Sequence, residues 1–510
     1  MADFDLAVIG GGINGTGIAR DAAGRGLRVV LFEQNDLASG TSSASSKLIH
    51  GGLRYLEHGE FRLVRAALSE REVLLRAAPH LIRPLRFALP LNNARRSAVL
   101  LRFGLLLYDW IGRREILPGT RELDLKYDKA GPPLRGEFRK AYEYSDCFAD
   151  DARLVVLNAV DAAERGAVIR TRTRCVRAER RHVWRLTVET GGVSGVVTAR
   201  VLVNAAGAWV ESVAGTVLGQ KMQPHLRLDK GSHIVVRRLY DHDRAYILQA
   251  ADRRVVFAIP FAGDFTLIGT TDELFTADPA TVAPAAEEIT YLCGVVNEYF
   301  RASIGPADVV WAFAGVRSLY DDSAHKPQDI GREYELILDE RMGEAPLLTV
   351  YGGKITTYRR LAEDALLRLA HLFPASHSWT ARSPLPGGDF AYDGFEALVA
   401  RTLQRWPFLT EDHAQRLAHA YGTHVENVLG NAARLDDLGQ CFGVDLTAAE
   451  VRYLMEKEWA QTADDVLWRR SKLGLLFSEA QRGALADFMA RDSMAQAGHG
   501  GAKTQSPTRP

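Results

Sequence analysis

The sequence predicts an α/β protein with a Rossmann-like nucleotide-binding domain, a β-rich second domain and an α-helical carboxy-terminal domain. Three observations carry this reading. Residues 4–33 run strand, Gly-rich turn, helix, strand; residues 231–271 hold several short strand-like runs; and beyond residue 394 the apolar period becomes helical.

In the first part, Phe4 to Ile9 is an apolar strand, Ile13 to Arg25 is helix-compatible, and Leu27 to Phe32 is β-branched and apolar. Between strand and helix stands Gly10-Gly11-Gly12-Ile13-Asn14-Gly15, a G-x-G-x-x-G in the context that motif requires. Gly10, Gly12 and Gly15 let the chain turn tightly, and the backbone around Ile13 and Asn14 opens a helix N-terminus toward a pyrophosphate. Glu33 ends the second strand about 20 residues on, where a carboxylate accepts hydrogen bonds from an adenosine ribose and disfavours a 2′-phosphate. A Gly-rich loop alone is also an ordinary turn; strand, helix and Glu33 together favour dinucleotide binding. The fingerprint leaves FAD and NAD both open.

Downstream, Phe61 to Ala77 is a helix with Val64, Leu68 and Leu75 on one face. Short alternating strands run from about Cys175 to Val203, and Val201-Leu202-Val203 leads into Asn204-Ala205-Ala206-Gly207, a second strand-to-loop junction in the same sheet. His233 to Val236, Tyr246 to Leu248, Val255 to Ile259 and Thr266 to Ile268 are the strand-like runs of the β-rich domain. Pro374, Pro384, Pro386, Gly387 and Gly388 mark a linker, and Val451, Leu454, Met455 and Trp459 mark the helical domain. Gln496 to Pro510 is rich in Gly, Ser, Thr and Pro and is expected to be disordered.

Composition sets the outer limits. The 63 basic and 63 acidic residues balance, leaving no net charge for a phosphate backbone, so nucleic acid is not an expected partner. Cys147, Cys175, Cys293 and Cys441 lie far apart with no Cys-x-x-Cys pair, so no metal site is expected and all four are expected to be reduced core residues of a cytoplasmic protein. The acidic amino terminus lacks the features of a signal peptide. Residues 97–111 are apolar, but Arg102 and Asp109 interrupt them, and a bilayer span needs about 20 residues. With Arg95, Arg96, Arg113 and Arg114 around it, segment 95–114 has the composition of a helix lying on an anionic membrane surface; a buried helix pair fits that composition equally well.

After the first βαβ unit comes Thr41-Ser42-Ser43-Ala44-Ser45-Ser46-Lys47-Leu48-Ile49-His50-Gly51-Gly52-Leu53-Arg54-Tyr55-Leu56-Glu57. Its small residues let the chain pass close to a flat ring and a phosphate chain, and Arg54 and Tyr55 offer donors to an anion. This segment resembles, nearly residue for residue, the flavin-proximal segment of the FAD-dependent glycerol-3-phosphate dehydrogenase family. The family's other segments follow in order: Glu143 to Cys147, Asp150 to Leu154, Val203 to Trp209, Lys230 to Val235, Ile268 to Asp272, Gly315 to Leu319, Gly352 to Tyr358 and Ala463 to Arg470. Ala208 and Ser318 stand where the family commonly has proline, and the carboxy terminus is extended.

The resemblance implies FAD as cofactor, sn-glycerol 3-phosphate as substrate, dihydroxyacetone phosphate as product and a membrane quinone as acceptor. It further implies a homodimer, cytoplasmic and peripherally attached to the inner face of the cell membrane. It divides the chain into an FAD-binding domain (1–75, 145–225 and 340–373), a substrate or cap domain (76–144 and 226–339), the linker 374–394, a helical domain (395–495) and a tail (496–510). To the cofactor residues already named it adds Thr41, Ser42, Ser46, Lys47, Leu48, Gly51, Gly52, Ala206, Gly207, Trp209, Gly353, Lys354, Ile355 and Thr356.

Flavin oxidation of an alcohol needs a base for the hydroxyl proton and cations for the phosphate. Arg54 and Arg317 suit the phosphate, because a guanidinium fork matches its oxygens. His233 is the first candidate base, His50 its competitor, and an arginine-assisted transfer through Arg317 a third route. Lys354 suits the flavin N1 and C2 carbonyl, and Tyr55 and Thr270 suit substrate oxygens. Each of these also has an ordinary structural reading as a packed or solvated residue. Two other functions stay open: an oxidase of the same fold using oxygen, on glycerol 3-phosphate or an amine, and a non-catalytic flavin-binding protein. A second G-x-G-x-x-G for NADPH is lacking.

Overall fold

The computed structural model describes residues 2–91, 98–112, 115–220, 226–321 and 334–500. The chain forms two compact units, Met1–Phe395 and Glu396–Pro510.

In the first unit, Leu6, Ala7 and Val8 are wholly buried, as the middle of a parallel sheet covered on both faces demands. The strand Phe4–Ile9 pairs in parallel with Val29–Phe32 on one side and Val193–Asn204 on the other; Val168–Arg170 and Leu347–Tyr351 extend the sheet, and Glu335–Asp339 closes it antiparallel. Helix Ile13–Gly24 packs against Asp151–Glu164 and Tyr358–Arg368, and the side chain of Tyr358 fills the space that a Cβ at Gly17 would need. The βαβ unit and the helix Phe61–Ala77 stand where the sequence puts them.

The second sheet runs Glu273–Leu274, Leu226–Arg237, Phe265–Gly269, Val255–Phe261, Ala245–Gln249, Ile82–Pro90, Lys140–Ala149, Leu48–Ile49, and Val309–Tyr320 pairs along Leu226–Arg237. Helix Ala286–Tyr299 packs on it, contributing Leu292, Val295, Val296 and Tyr299 to its core. Two assignments differ from the division expected from sequence. Leu48–Ile49 and residues 145–149 belong to this sheet, because Leu48 pairs with Phe148 and Ile49 with Cys147 in one antiparallel ladder. Glu335–Asp339 belongs to the first sheet through its ladder with Leu347–Tyr351.

Residues 374–394, expected as a linker, are packed onto the first unit. The guanidinium groups of Arg20 and Arg165 lie over the Trp379 ring, 4.9 and 4.0 Å from its centre, and Trp379 Nε1 donates to the Asp21 carbonyl at 3.2 Å. Leu385 is buried and its amide bonds to the Ala77 carbonyl at 2.8 Å. One anchored aromatic outweighs the Pro and Gly content around it.

The second unit holds the helices Glu411–Tyr421, Ala448–Lys457 and Glu479–Gly500. Half-buried Arg416 donates to both oxygens of buried Glu450 at 2.7 Å, locking two of them together. Trp459 has a positive φ of 57° and stands beyond the helix end, so the sequence period overran it. Residues 496–500, expected in a disordered tail, continue the last helix, and 501–510 lie outside the described residues. Cys147, Cys175 and Cys293 are buried thiols as expected, whereas Cys441 is exposed, at the start of the short strand Cys441–Gly443. Among the described residues, no helix is long and apolar enough to cross a membrane.

Candidate active site

The Gly-rich turn is built to admit a ligand. Gly10 has a φ of +115°, and a Cβ there would stand 2.5 Å from the Ala205 carbonyl oxygen, so the turn and the junction Ala205–Gly207 meet backbone to backbone. Helix Ile13–Gly24 begins at Gly12, which has no side chain to cap it, so its amino end can face an anion. Ser42 Oγ accepts from the Ile13 amide at 3.0 Å, which brings the Ser-rich loop to the same place. Glu33 accepts from the amides of Gly11 (2.7 Å) and Asn35 (2.8 Å), fixing its carboxylate at the strand end; burial raises its pKa and these two bonds lower it. Asn14 Nδ2 donates to the Gly352 carbonyl at 3.0 Å, drawing the turn before Gly353, Lys354 and Ile355 against the first glycines. Its buried Oδ1 has no partner among the described residues. Gly15 packs against Gly10, and Trp209 lies beside Gly40. These residues fit a dinucleotide.

The loop from Thr41 to Lys47 is tied down along its length. Thr41 Oγ1 donates to the Val316 carbonyl at 2.6 Å. Lys47 is wholly buried and its ammonium donates to Asp151 at 2.8 Å and to the Ser43 carbonyl at 3.0 Å. Its charge is therefore committed to the loop's own foundation. Replacing Asp151 with Asn leaves a buried, uncompensated ammonium and is expected to cost about 3–5 kcal/mol of stability, read by denaturant unfolding of the loaded protein.

A cavity of about 170 Å³ opens between this loop and the second sheet. Its floor crosses that sheet, from Arg317 on Val309–Tyr320, past Thr270, to Val255 and Phe257 on Val255–Phe261 and Ile247 and Gln249 on Ala245–Gln249. Ser46, His50, Gly52 and Tyr55 close the other side. Gly52 has a φ of +74°, and the Tyr55 ring occupies the space a Cβ there would need. Lys354 sits 4.0 Å from the centre of the same ring, a cation–π contact. Thr356 exchanges long hydrogen bonds of 3.4 Å with the His50 backbone. The side chain of Arg54 lies outside the described residues.

The two histidines are placed differently. His50 lines the cavity; burial, then Lys354, Arg317 and Arg71, push its pKa from 6.5 down to about 4, so the ring is neutral and able to take a proton. His233 stands behind the wall, with Nε2 2.9 Å from Ser46 Oγ and its ring stacked on Phe313 at 5.0 Å. Burial, then Lys47 and Arg317, lower it to about 3. Ser46, not His233, meets the cavity there.

Arg317 pairs with Asp272 at 3.1 Å, and both side chains are partly exposed, so the pair is weak and the guanidinium is available to a better anion. Arg254, Gln249, Thr271 and Asp272 also line the cavity. Buried Glu288 holds the wall from behind, accepting from Ser232 Oγ (2.9 Å), Thr271 Oγ1 (2.7 Å) and the Ala285 amide (2.8 Å), with Lys230 at 2.7 Å. Thr271 and Asp272 end the Ile268 to Asp272 segment, where a signal existed. Glu288, Gln249 and Arg254 are isolated in sequence and carried none.

Residues 5–359 match the family described as FAD dependent oxidoreductase. The chain belongs to that family. Its cofactor is accordingly FAD, which when bound supplies a two-electron acceptor. Residues 378–496 match the C-terminal domain of alpha-glycerophosphate oxidase. The chain is similar to a glycerol-3-phosphate dehydrogenase of Pseudomonas aeruginosa, 53% identical with 95% of each chain covered. It is also similar to a D-erythritol 1-phosphate dehydrogenase of Brucella abortus, 49% identical over 95% of this chain and 97% of that one. Among solved structures, the glycerol-3-phosphate dehydrogenase from Bacillus halodurans complexed with FAD superposes with a TM-score of 0.77 at 27% identity, covering 97% of this chain and 90% of the other. As an FAD-dependent oxidoreductase with such relatives, the chain is an enzyme, and the flavoprotein fold expected from sequence stands.

Proposed function

We propose that this oxidoreductase converts sn-glycerol 3-phosphate to dihydroxyacetone phosphate, with FAD as immediate electron acceptor and a membrane quinone as the final one. The observation that carries the reading is one cavity faced by a neutral imidazole, His50, a threonine hydroxyl, Thr270, and a guanidinium with only a weak partner, Arg317. Arg317, with Arg54, takes the phosphate; Tyr55 and Thr270 hold substrate oxygens. His50 takes the hydroxyl proton as the carbon-bound hydrogen leaves with two electrons. His233 acts through Ser46 and fixes that wall, and Lys354, held over Tyr55, supplies positive charge next to it. The cofactor roles of Gly10, Gly12, Gly15, Glu33 and the loop from Thr41 to Gly52 are proposed on the same footing. Two similar relatives are dehydrogenases named for glycerol 3-phosphate and D-erythritol 1-phosphate, so a phosphorylated polyol is common to both and the chain length is what an assay must settle. With glycerol 3-phosphate in air, dihydroxyacetone phosphate and reduced short-chain quinone are expected in equal amounts. Stoichiometric peroxide instead would replace this reading with the oxidase.

The acceptor and the location rest on helix Ala98–Ile111. Val99, Leu100, Phe103, Leu106 and Trp110 form one stripe, 78, 70, 65, 52 and 79% exposed, with Arg102 exposed among them. Such a stripe on a water-facing helix is unfavourable unless covered. Its basic residue, and Arg95, Arg96, Arg113 and Arg114 in the adjoining sequence, select an anionic lipid surface, the inner face of the cell membrane. Replacing Leu100, Phe103 and Trp110 with serine is expected to abolish co-sedimentation with phosphatidylglycerol vesicles while leaving flavin reduction by substrate unchanged. Undiminished co-sedimentation would remove this helix from the membrane contact. The homodimer follows from the family resemblance alone, and a single-chain mass in solution would refute it.

A further inference from the structure

We propose that Tyr108 is a positioning residue for His50, and that it lets the cavity respond to how helix Ala98–Ile111 is seated. Only the second half rests on the membrane reading above. Tyr108 lies on the inner face of that helix, 2% exposed, directly beneath the apolar stripe. Its Oη accepts from the Gly51 amide at 2.8 Å and donates to Asp146, 2.9 Å from each carboxylate oxygen. Asp146 is buried and accepts from Arg71 Nη1 at 2.7 Å, and the same nitrogen donates to the Ser145 carbonyl at 3.0 Å. Burial, then the Asp146 charge, raise the Tyr108 pKa well above 10, so the phenol keeps the proton it donates.

The Gly51 amide is the peptide link that follows His50, the imidazole on the cavity wall. On the other side of His50 the contacts to Thr356 are 3.4 Å long, so the Tyr108 bond is the tighter fixture of this stretch. Packing leaves no slack: a Cβ at Gly51 would stand 2.7 Å from Tyr108 Oη and 2.6 Å from Leu68. The helix also reaches the cavity itself through Leu101. One rigid element therefore carries an apolar outer face, a cavity-lining leucine and the hydroxyl that sets the His50 backbone. A shift of the helix cannot leave His50 where it was unless this hydrogen bond breaks.

Tyr108→Phe in the full-length, FAD-loaded protein tests this, since it keeps the ring against Tyr144, 5.8 Å away, and removes only the hydroxyl. Three results are expected with little change in melting temperature. The rate of anaerobic flavin reduction by glycerol 3-phosphate falls about tenfold, the cost of one misplaced hydrogen bond; KM changes less than twofold; and deuterium exchange of the peptide spanning residues 48–56 accelerates about tenfold. Phosphatidylglycerol vesicles are expected to slow that exchange in the wild type and not in the variant, although both co-sediment equally. An unchanged reduction rate together with unchanged exchange would overturn the positioning role. Exchange in the vesicle-bound wild type equal to that in solution would overturn the response to seating. A wild type that does not bind vesicles would overturn the membrane reading and the seating response, and leave positioning to be judged on the solution data.

Discussion

His50→Asn is expected to slow anaerobic flavin reduction by glycerol 3-phosphate by about 10²–10⁴-fold, the usual worth of a positioned general base, with FAD content unchanged. His233→Asn is expected to slow it only about tenfold, because His233 reaches the cavity through a single hydrogen bond to Ser46. Rapid-mixing absorbance of the flavin separates the two, and equal losses would mean that both histidines handle the proton. The pH profile gives a second reading. Only the neutral imidazole accepts a proton, so the rate rises with pH through the folded pKa, about 4 for His50, and is level by neutrality. A midpoint near 6.5 would place the base elsewhere. Stability follows the same sign: His50 and His233 are lowered to about 4 and about 3, so the folded state binds fewer protons than the unfolded chain. Their contribution is complete above 6.5 and is lost as the pH falls toward those values, on the order of a kcal/mol per pH unit for each.

Arg317→Ala is expected to lower kcat/KM for glycerol 3-phosphate by about 10–150-fold, the worth of roughly 1.5–3 kcal/mol for hydrogen bonds to a charged group. The loss should fall on KM and not appear for glycerol, which lacks the phosphate. Arg317→Lys should recover part of it, since an ammonium restores charge without the planar fork. The present partner, Asp272, supports this size of effect: a half-exposed pair at 3.1 Å holds the guanidinium lightly enough to be exchanged for phosphate. An equal loss with glycerol would show that Arg317 shapes the cavity and does not bind the phosphate.

Local signals made the first part of the fold legible. The strand, glycine and helix pattern from Phe4 to Phe32 is contiguous, so period and turn chemistry sufficed. Sheet membership was less legible, because the Leu48–Ile49 ladder with Cys147 and Phe148 joins residues about a hundred positions apart, and no local pattern announces such pairing. The linker reading of 374–394 failed for a similar reason: Pro and Gly report backbone preference, while Trp379 reports packing only once Arg20 and Arg165 are beside it. In the cavity, motif residues such as Ser46, His50, Tyr55, Thr270 and Arg317 do converge. Which histidine faces the space was not legible, since it depends on strand facing and on the intervening Ser46. Glu288 and Tyr108 were invisible in these roles because the groups they bind, Ser232, Thr271 and Lys230 for Glu288 and the Gly51 amide and Asp146 for Tyr108, are brought to them from distant parts of the sequence.

On the proposed function, this flavoprotein takes two electrons from a phosphorylated polyol at the cavity holding His50 and Arg317. Anaerobic addition of sn-glycerol 3-phosphate to the purified, FAD-loaded protein tests it most directly. The visible flavin absorbance is expected to bleach fully, with dihydroxyacetone phosphate appearing in equal amount to the flavin reduced. An unbleached flavin with saturating glycerol 3-phosphate would contradict the account, and bleaching by D-erythritol 1-phosphate alone would move the substrate to the longer polyol.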